Sequence, residues 1–426
     1  MRLTLARHPV TEIRFGKSTR LEGTLLVVDQ EELRRLILGD ECLRSVGLET
    51  IRPGESCRAG PVFDIIEPRA KEPGSGPDFP GILSPPLTAG MGTTHVLDGT
   101  AVTVLREKSP EGSRGPVGNV LEMGGVAAEG SRYSSLQHLV VVPHARPGLA
   151  MHAAEKAYRS AGLKSAVYLA RASIGETPAV KETFKSVGPT ERGREGLPRA
   201  AYVGQIFSRQ RRPAVDEQVL YGTNTDGMLP VVLHPDEWLD GAVVPSYYSS
   251  VGGAETYFYQ NHPVISELYR RHQAGEVNFV GTVATIAGAD NEDRNRNCQM
   301  AANLVKWTLG ADAAVLTKYG GGVPHADMAE TARLLEGMGV RTAVMVSDMS
   351  RDRRVESALL FNFPEVDAIV YCGGNGTRWK VAPVQRVIAG SREMAEVLAG
   401  AREIGAVNVI GVANQQGASR LRGVIY

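Results

Sequence analysis

The stretch Ala313-Ala-Val-Leu-Thr317, followed by Lys318-Tyr-Gly-Gly-Gly-Val-Pro-His-Ala-Asp327, decides the fold of this chain. A short apolar run ends in a glycine-rich turn, and apolar residues at helical spacing begin directly after it. The same alternation continues on both sides of this stretch. The predicted strands are residues 277–285, 313–317, 342–347, 368–371 and 407–412, and the predicted helices are residues 293–309, 326–338, 355–361 and 393–404. This pattern predicts a doubly wound parallel sheet with right-handed crossovers over residues 274–426.

Two further regions precede this alternation, and the whole chain is therefore predicted to be of the α/β class. Residues 1–135 are rich in turns and predict a β-rich N-terminal domain. Residues 136–273 predict an α/β middle region that begins with a βαβ unit. The predicted elements are strands 24–28, 62–66, 100–105, 139–142, 165–169, 201–207 and 228–233, and helices 30–38 and 149–161.

One segment of the middle region has no regular period. It reads Asp240-Gly-Ala-Val-Val-Pro-Ser-Tyr-Tyr-Ser-Ser-Val-Gly-Gly-Ala-Glu-Thr-Tyr257 and combines polar, aromatic and glycine residues. Long irregular segments of this kind are often binding or catalytic loops. We therefore predict that residues 240–257 form a functional loop.

Composition excludes several classes of function. Lys plus Arg equals Asp plus Glu at 47 each, so no overall field attracts nucleic acid or an anionic membrane. The apolar runs are far shorter than the roughly 20 residues that span a bilayer, and charges interrupt the apolar N-terminal stretch, unlike a signal peptide. The four cysteines form no Cys-x-x-Cys pair, which disfavours a structural metal site or a disulfide scaffold. We expect a cytoplasmic protein without bound metal.

The loops after the predicted strands of residues 274–426 are the first candidate site, because ligands of such sheets bind outside the carboxyl ends of the strands. These loops are glycine-rich and polar. They are residues 288–293, 318–327, 348–351 and 372–378. For any one loop, helix capping or a simple turn is the favoured explanation; four loops at one edge favour a binding crevice.

Within this crevice we expect Gly321, Gly322 and Asn375 to contact substrate. His325 is a candidate catalytic base that the carboxylate of Asp327 can orient. The alternative is that His325 and Asp327 only begin a helix.

Short motifs along nearly the whole chain resemble a known family. They are Glu67-Pro-Arg-Ala-Lys71, Phe79-Pro-Gly81, Gly92-Thr-Thr-His-Val-Leu-Asp-Gly99, Asp240-Gly-Ala-Val-Val244, Asn261-His-Pro-Val-Ile265, Leu268-Tyr-Arg-Arg-His272, Asn278-Phe-Val-Gly281, Gly320-Gly-Gly-Val-Pro-His-Ala-Asp327 and Gly373-Gly-Asn375. In this order they resemble the component B proprotein of the glycine, sarcosine and betaine reductases. Thr94 and His95 lie in one of these motifs, and we expect them to bind substrate. The alternative for His95 is a structural histidine, which is the commoner role on residue type alone.

This resemblance implies a subunit that activates a small amine, such as glycine, sarcosine or betaine. A homologous partner subunit then supplies a selenolate or thiolate that attacks the α-carbon and displaces the nitrogen. In the family, the proprotein is cut within the segment that matches residues 240–257, and the cysteine after the cut becomes a pyruvoyl group that can take the substrate amine as a Schiff base.

The sequence departs from the family at this point, because residues 240–257 contain no cysteine. Ser249 and Ser250 are the catalytic candidates here, since serine can also yield a pyruvoyl group by chain cleavage. The favoured alternative is an uncut loop that only binds substrate, so no cofactor is firmly predicted. A quaternary ammonium substrate cannot form a Schiff base, and Tyr247, Tyr248, Tyr257 or Tyr259 can bind it through cation–π attraction.

Three functions remain open from the sequence. The first is the substrate-holding subunit of a hetero-oligomeric reductase whose partner carries a reactive cysteine or selenocysteine. The second is a repurposed relative that acts on another C–X bond without a pyruvoyl group. The third is a non-catalytic scaffold for the partner. In the first case we expect a crevice carboxylate to bind the substrate nitrogen, with Asp327 preferred over Asp348 or Glu292.

Overall fold

The computed structural model describes residues 1–108, 118–188, 191–206, 217–245, 253–348, 364–374, 376–421 and 424–425. The described strands are β1 Leu3–Pro9, β2 Glu12–Gly16, β3 Arg20–Glu22, β4 Leu25–Asp29, β5 Leu43–Ile51, β6 Cys57–Gly60, β7 Val62–Ile66, β8 Arg69–Lys71, β9 Gly92–Asp98, β10 Thr100–Leu105, β11 Leu121–Glu122, β12 Gln137–Ala145, β13 Val180–Thr183, β14 Arg199–Gln205, β15 Gln218–Leu220, β16 Thr223–Asn224, β17 Val231–Leu233, β18 Asn278–Thr285, β19 Ala313–Thr317, β20 Arg341–Asp348, β21 Ala368–Gly374, β22 Arg378–Val381, β23 Arg386–Ala389, β24 Arg402–Gly405 and β25 Val424–Ile425. The described α-helices are α1 Gln30–Leu38, α2 Val126–Glu129, α3 Met151–Arg171, α4 Pro235–Leu239, α5 Thr256–Gln260, α6 Pro263–Ala274, α7 Asn291–Asn303, α8 Val323–Gly337 and α9 Arg392–Ala399. The predicted α/β class is confirmed.

A seven-stranded sheet has the strand order β17-β18-β14-β19-β20-β21-β25. The five inner strands run parallel, and the two edge strands, β17 and β25, pair antiparallel to their neighbours. The chain starts this parallel set at β14, moves outward to β18, and then crosses back to β19. The strand order therefore reverses between β14 and β19, which is where such sheets bind ligands.

Helices cover both faces of this sheet. Successive side chains of a strand point to opposite faces, so a single strand contacts both layers of helices. On β14, Tyr202 packs into the same apolar cluster as Ile265 and Leu268 of α6. Its neighbours Ala201 and Val203 pack into a second cluster that contains residues of α7 and α8. The sheet takes β14 and β17 from residues before 274, and the predicted division into three domains at residues 135 and 273 stays a prediction.

The N-terminal strands form smaller sheets, with the orders β13-β1-β9-β8, β5-β12-β10-β7 and β2-β4-β3. A further sheet, β11-β6-β23, joins the two ends of the chain, because β6 pairs parallel with β23. Buried Arg58 of β6 reinforces this link through the carbonyl oxygens of Leu398, Gly400 and Ala382. The C-terminal segment is therefore built into the N-terminal strands.

Three predicted elements differ from the structure. Residues 165–169 are not a strand, because α3 continues through them; Ser165 bonds back to the Ala161 carbonyl, and buried residues at helical spacing extend as far as Ala170. Residues 407–412 are not a strand either: a 3-10 turn at Ala406–Asn408 is followed by a bend at Gly411 with φ of 81°. The predicted helix 393–404 ends at Ala399, since the chain turns into β24.

Between α3 and β14, the strand β13 pairs antiparallel with β1. The predicted helix 355–361 lies outside the described residues. In the part of the chain that the structure covers, no helix has the length and apolar character that crossing a membrane requires.

Candidate functional site

A line of buried polar side chains lies at the reversal of strand order. Tyr202 of β14 bonds to His262 Nε2 at 2.8 Å and to Thr317 Oγ1 at 2.7 Å, and Thr317 donates to Gln416 Oε1 at 3.2 Å. Burial lowers the pKa of His262 to about 3, so its imidazole is neutral. These bonds connect the carboxyl half of β14, the end of β19 and the C-terminal segment.

Lys318 directly follows β19 and is the cation of this site. Its side chain is buried, with 1% of the residue exposed, and Nζ donates to Gly320 O at 2.7 Å and to Gln415 Oε1 at 2.6 Å. Burial lowers the pKa of Lys318 to about 8, against a smaller opposing effect of the nearby Cys372 thiol. The side chain is therefore still mostly an ammonium ion at pH 7, held in a poorly solvated position.

The predicted functional loop 240–257 reaches this site at its far end. Gly253 O accepts from Asn414 Nδ2 at 2.9 Å and from Gln416 Nε2 at 3.3 Å. The φ of Gly253 is 92°, a conformation that residues with a Cβ rarely adopt. Residues 414–416 therefore connect the end of the loop to Thr317 and Lys318.

Two buried carboxyl groups fix the chain after Gly253. Glu255 accepts from Gly253 N at 2.9 Å and from Tyr133 OH at 3.0 Å. Asp64 accepts from the backbone N–H and the hydroxyl of Thr256 at 2.9 and 2.5 Å, at the start of α5. Burial raises the pKa of Asp64 to about 7 and raises the pKa of Glu255.

The near end of the same loop is fixed at Asp240, which follows α4. Its carboxylate pairs with Lys71 Nζ and accepts from Thr94 Oγ1 at 2.7 Å and from Gly90 N at 2.8 Å. A small cavity adjoins this cluster, lined by Arg69, Lys71, Asp78, Phe79, Thr94 and Asp240 among others. Thus Thr94, which we expected to bind substrate, holds Asp240 and lines the cavity.

His95 belongs to a different contact. Its ring stacks on His8, with His8 Nε2 and His95 Nδ1 at 3.0 Å, while its Nε2 bonds to Glu72. Thr94 and His95 lie on β9, whereas His325 and Asp327 lie on α8, after a strand of the seven-stranded sheet. These predicted site residues therefore fall into two groups. One lies on a strand of an N-terminal sheet, and the other lies on a helix that follows a strand of the seven-stranded sheet.

His325 and Asp327 lie in the first turns of α8, as the helix-start alternative has it. Burial lowers the pKa of His325 to about 4, which leaves a neutral and weakly basic imidazole at pH 7. Asp327 accepts from Arg294 Nε at 2.7 Å, while its Oδ2 is buried without a hydrogen bond from the described residues. Burial raises the pKa of Asp327, and Arg294 opposes that shift.

The remaining predicted contacts are distributed as follows. Gly322, with φ of 69°, is the residue before α8, and Gly321 lies in the turn that precedes it. Tyr247, Tyr248, Ser249, Ser250 and Asn375, and the side chain of Asp348, lie outside the described residues. Asp290 caps α7 by accepting from Asp293 N at 2.9 Å, which is the structural role considered for it.

None of the four free cysteines is activated. Burial raises the pKa of Cys57 to about 12 and the pKa values of Cys298 and Cys372 to about 11, and the pKa of Cys42 is raised as well. These groups are thiols at neutral pH, whereas nucleophilic attack requires a thiolate. Across the ranges described, no group of three or more His, Cys, Asp or Glu side chains is arranged to hold a metal ion.

Sequence reasoning missed Tyr202, His262, Asn414, Gln415 and Gln416. The segment Ala413-Asn-Gln-Gln-Gly417 follows a predicted strand and is polar, so the criterion applied to the other four loops was also available here. Tyr202 had no comparable signal, because it lies inside a strand that reads as ordinary core. His262 lies in the quoted motif Asn261-His-Pro-Val-Ile265, but the motif was used only for the family resemblance and not to assign a role to this residue.

These features define an α/β protein with a cluster of hydrogen-bonded polar side chains at the reversal of strand order and a loop fixed at both ends. The family model described as glycine/sarcosine/betaine reductase component B subunits matches residues 1–415. The chain therefore belongs to this family, as its motifs predicted.

Three relatives from Peptoclostridium acidaminophilum are similar over most of their length. The glycine reductase complex component B subunits alpha and beta are 31% identical, over 94% of this chain and 92% of the relative. The sarcosine reductase complex component B subunit alpha is 30% identical over the same shares. The betaine reductase complex component B subunit alpha is 30% identical, over 91% of this chain and 88% of the relative. No solved structure matches the chain significantly.

Proposed function

We propose that this chain is the substrate-holding subunit of a reductase complex. It binds a small amine or quaternary ammonium compound while a thiolate or selenolate of a homologous partner subunit attacks the α-carbon and displaces the nitrogen. The observation that carries the proposal is a pair of hydrogen bonds made by the side chain of Gln416: its amide N–H donates to Gly253 O, and its amide oxygen accepts from the Thr317 hydroxyl. This link joins the end of the predicted functional loop to the edge where parallel sheets bind ligands.

The state of the thiols supports the need for a partner. A nucleophile with a pKa near 11, such as Cys298 or Cys372, is almost entirely protonated at pH 7. Both sulfur atoms are also buried. The attacking sulfur or selenium therefore belongs to another subunit in this proposal.

For the substrate nitrogen we propose Asp327 as the acceptor. Arg294 occupies one side of its carboxylate, and Oδ2 remains available as an acceptor. The loop residues Tyr247 and Tyr248 are proposed to contact a methylated nitrogen through their ring faces. Tyr257 and Tyr259 are less suited to this contact. Tyr259 is fully buried, and the guanidinium group of Arg132 already lies over the ring of Tyr257.

Co-purification tests the proposal. We expect the chain to bind a similarly sized subunit with a reactive cysteine or selenocysteine, and the complex to cleave glycine, sarcosine or betaine. A Cys298→Ser/Cys372→Ser double variant should keep activity in this complex. Complete loss of activity in a well-folded double variant would move the nucleophile into this chain. Unchanged turnover in variants of Tyr247, Tyr248, Ser249 and Ser250 would instead favour the scaffold function.

A second candidate function is that of a repurposed relative without a pyruvoyl group, and it is favoured by the absence of cysteine from residues 240–257. Denaturing mass spectrometry separates the two chemistries. An uncut loop gives one full-length mass, which is the result we expect. Cleavage at Ser249 or Ser250 would give two fragments, split at about residue 250, and would establish a serine-derived pyruvoyl group.

A further inference from the structure

We propose that Lys318 is the residue that binds the carboxylate of the substrate. This inference rests on the proposed function and adds the group that recognises the substrate class. Lys318 follows β19, one of the two strands between which the strand order reverses. It is also one residue from Thr317, whose hydroxyl contacts the segment that holds Gly253.

The first argument is the charge of Lys318, which no described carboxylate compensates. Both acceptors of its ammonium group, Gly320 O and Gln415 Oε1, are uncharged oxygens. A buried charge normally has a partner of opposite charge, because desolvation is costly otherwise. Four other buried cations have such a partner, in the pairs Arg58–Glu122, Arg69–Glu67, Lys71–Asp240 and Arg106–Glu155.

The second argument is the position of Gln415. Its amide oxygen occupies the place of an anion beside Lys318 Nζ, at 2.6 Å, while the neighbouring residues Asn414 and Gln416 bond to Gly253. A carboxylate that replaced this amide oxygen would bring a full negative charge to the ammonium group. It would also lie beside Asn414 and Gln416, the two residues that hold Gly253.

The third argument is the chemistry shared by the proposed substrates. Glycine, sarcosine and betaine differ in the methylation of the nitrogen, and all three carry the same carboxylate. The nitrogen leaves in the reaction, whereas the carboxylate persists from substrate to product. A fixed cation for the carboxylate therefore suits all three and leaves the nitrogen side to define which of them is bound.

Calorimetry on the full chain tests the inference, with glycine, sarcosine and betaine each compared with its carboxamide analogue. We expect the wild type to prefer the carboxylate by about 10- to 100-fold. Lys318→Met should reduce this preference to nearly one. The control Lys380→Met removes one positive charge from an exposed position and should bind as the wild type does.

A second variant keeps the test decisive if Lys318→Met does not fold. Gln415→Glu places a permanent carboxylate beside Lys318, so it should compete with the substrate and abolish the preference for carboxylates, while the thermal midpoint is maintained or rises. Gln385→Glu makes the same change at an exposed residue and is the control. A full carboxylate preference in either Lys318→Met or Gln415→Glu would overturn the role of Lys318 alone. A wild type that binds none of the three compounds would overturn the proposed function as well.

Discussion

Asp240→Asn is expected to lower the free energy of unfolding by about 3–5 kcal/mol, because it removes one partner of a buried ion pair. The side chains of Lys71 and Asp240 are 5% and 2% exposed. The substitution leaves the ammonium group of Lys71 buried without its counter-ion, and the new amide cannot accept on both sides from Thr94 and Gly90 as the carboxylate does. Urea denaturation measures the loss.

The control for this variant is Glu396→Gln. Glu396 pairs with Arg392 on the surface of α9, with side-chain exposures of 69% and 94%, and such pairs contribute less than about 1 kcal/mol. A Lys71→Met/Asp240→Asn double variant should be more stable than the sum of the single losses predicts, since no charge is left alone. A loss for Asp240→Asn as small as that for Glu396→Gln would mean that this ion pair does not fix the start of the functional loop.

Arg58→Met is expected to cost about 3 kcal/mol or more of unfolding free energy. The substitution leaves the buried carboxylate of Glu122 without its main partner and removes the donor to Leu398, Gly400 and Ala382. Arg402 also attracts Glu122, which places the expected loss at the lower end of the range for broken buried pairs.

Hydrogen exchange locates the effect of Arg58→Met. We expect faster exchange in α9 and β23, because these elements lose their side-chain link to β6. Arg378→Met is the matched control, since Arg378 pairs with Glu403 at exposures of 67% and 52% and should leave exchange in α9 unchanged. Equal exchange in the two variants would show that strand pairing alone holds the C-terminal segment in place.

The sequence was sufficient for elements whose local pattern is unambiguous. The predicted bounds of β7, β10, β19 and α1 agree with the structure. It was insufficient in the second half of α3, because the short, nearly continuous apolar run from Ala166 to Ala170 does not reveal its period. The order of strands in a sheet has no signature in the local sequence, so the position of β14 between β18 and β19 could not be predicted.

The same distinction applies to the candidate site. The loop 318–327 was found because it follows a strand directly, although Lys318 itself was not among the predicted site residues. The partners of Lys318 and Gly253 were missed because they lie 97 and 161 or more residues away along the chain. Asp240 was assigned to the functional loop, but its pairing with Lys71 spans 169 residues and has no signature in either segment.

The interlacing of early and late strands affects how a broken peptide bond in residues 246–252 would be detected. The piece before such a nick contains β6, β14 and β17, and the piece after it contains β18, β19 and β23. These strands pair with one another in two sheets, so neither piece can depart without dismantling both. A nicked protein would migrate as a single particle in gel filtration and sediment like the intact one. Only a denaturant would release the two halves.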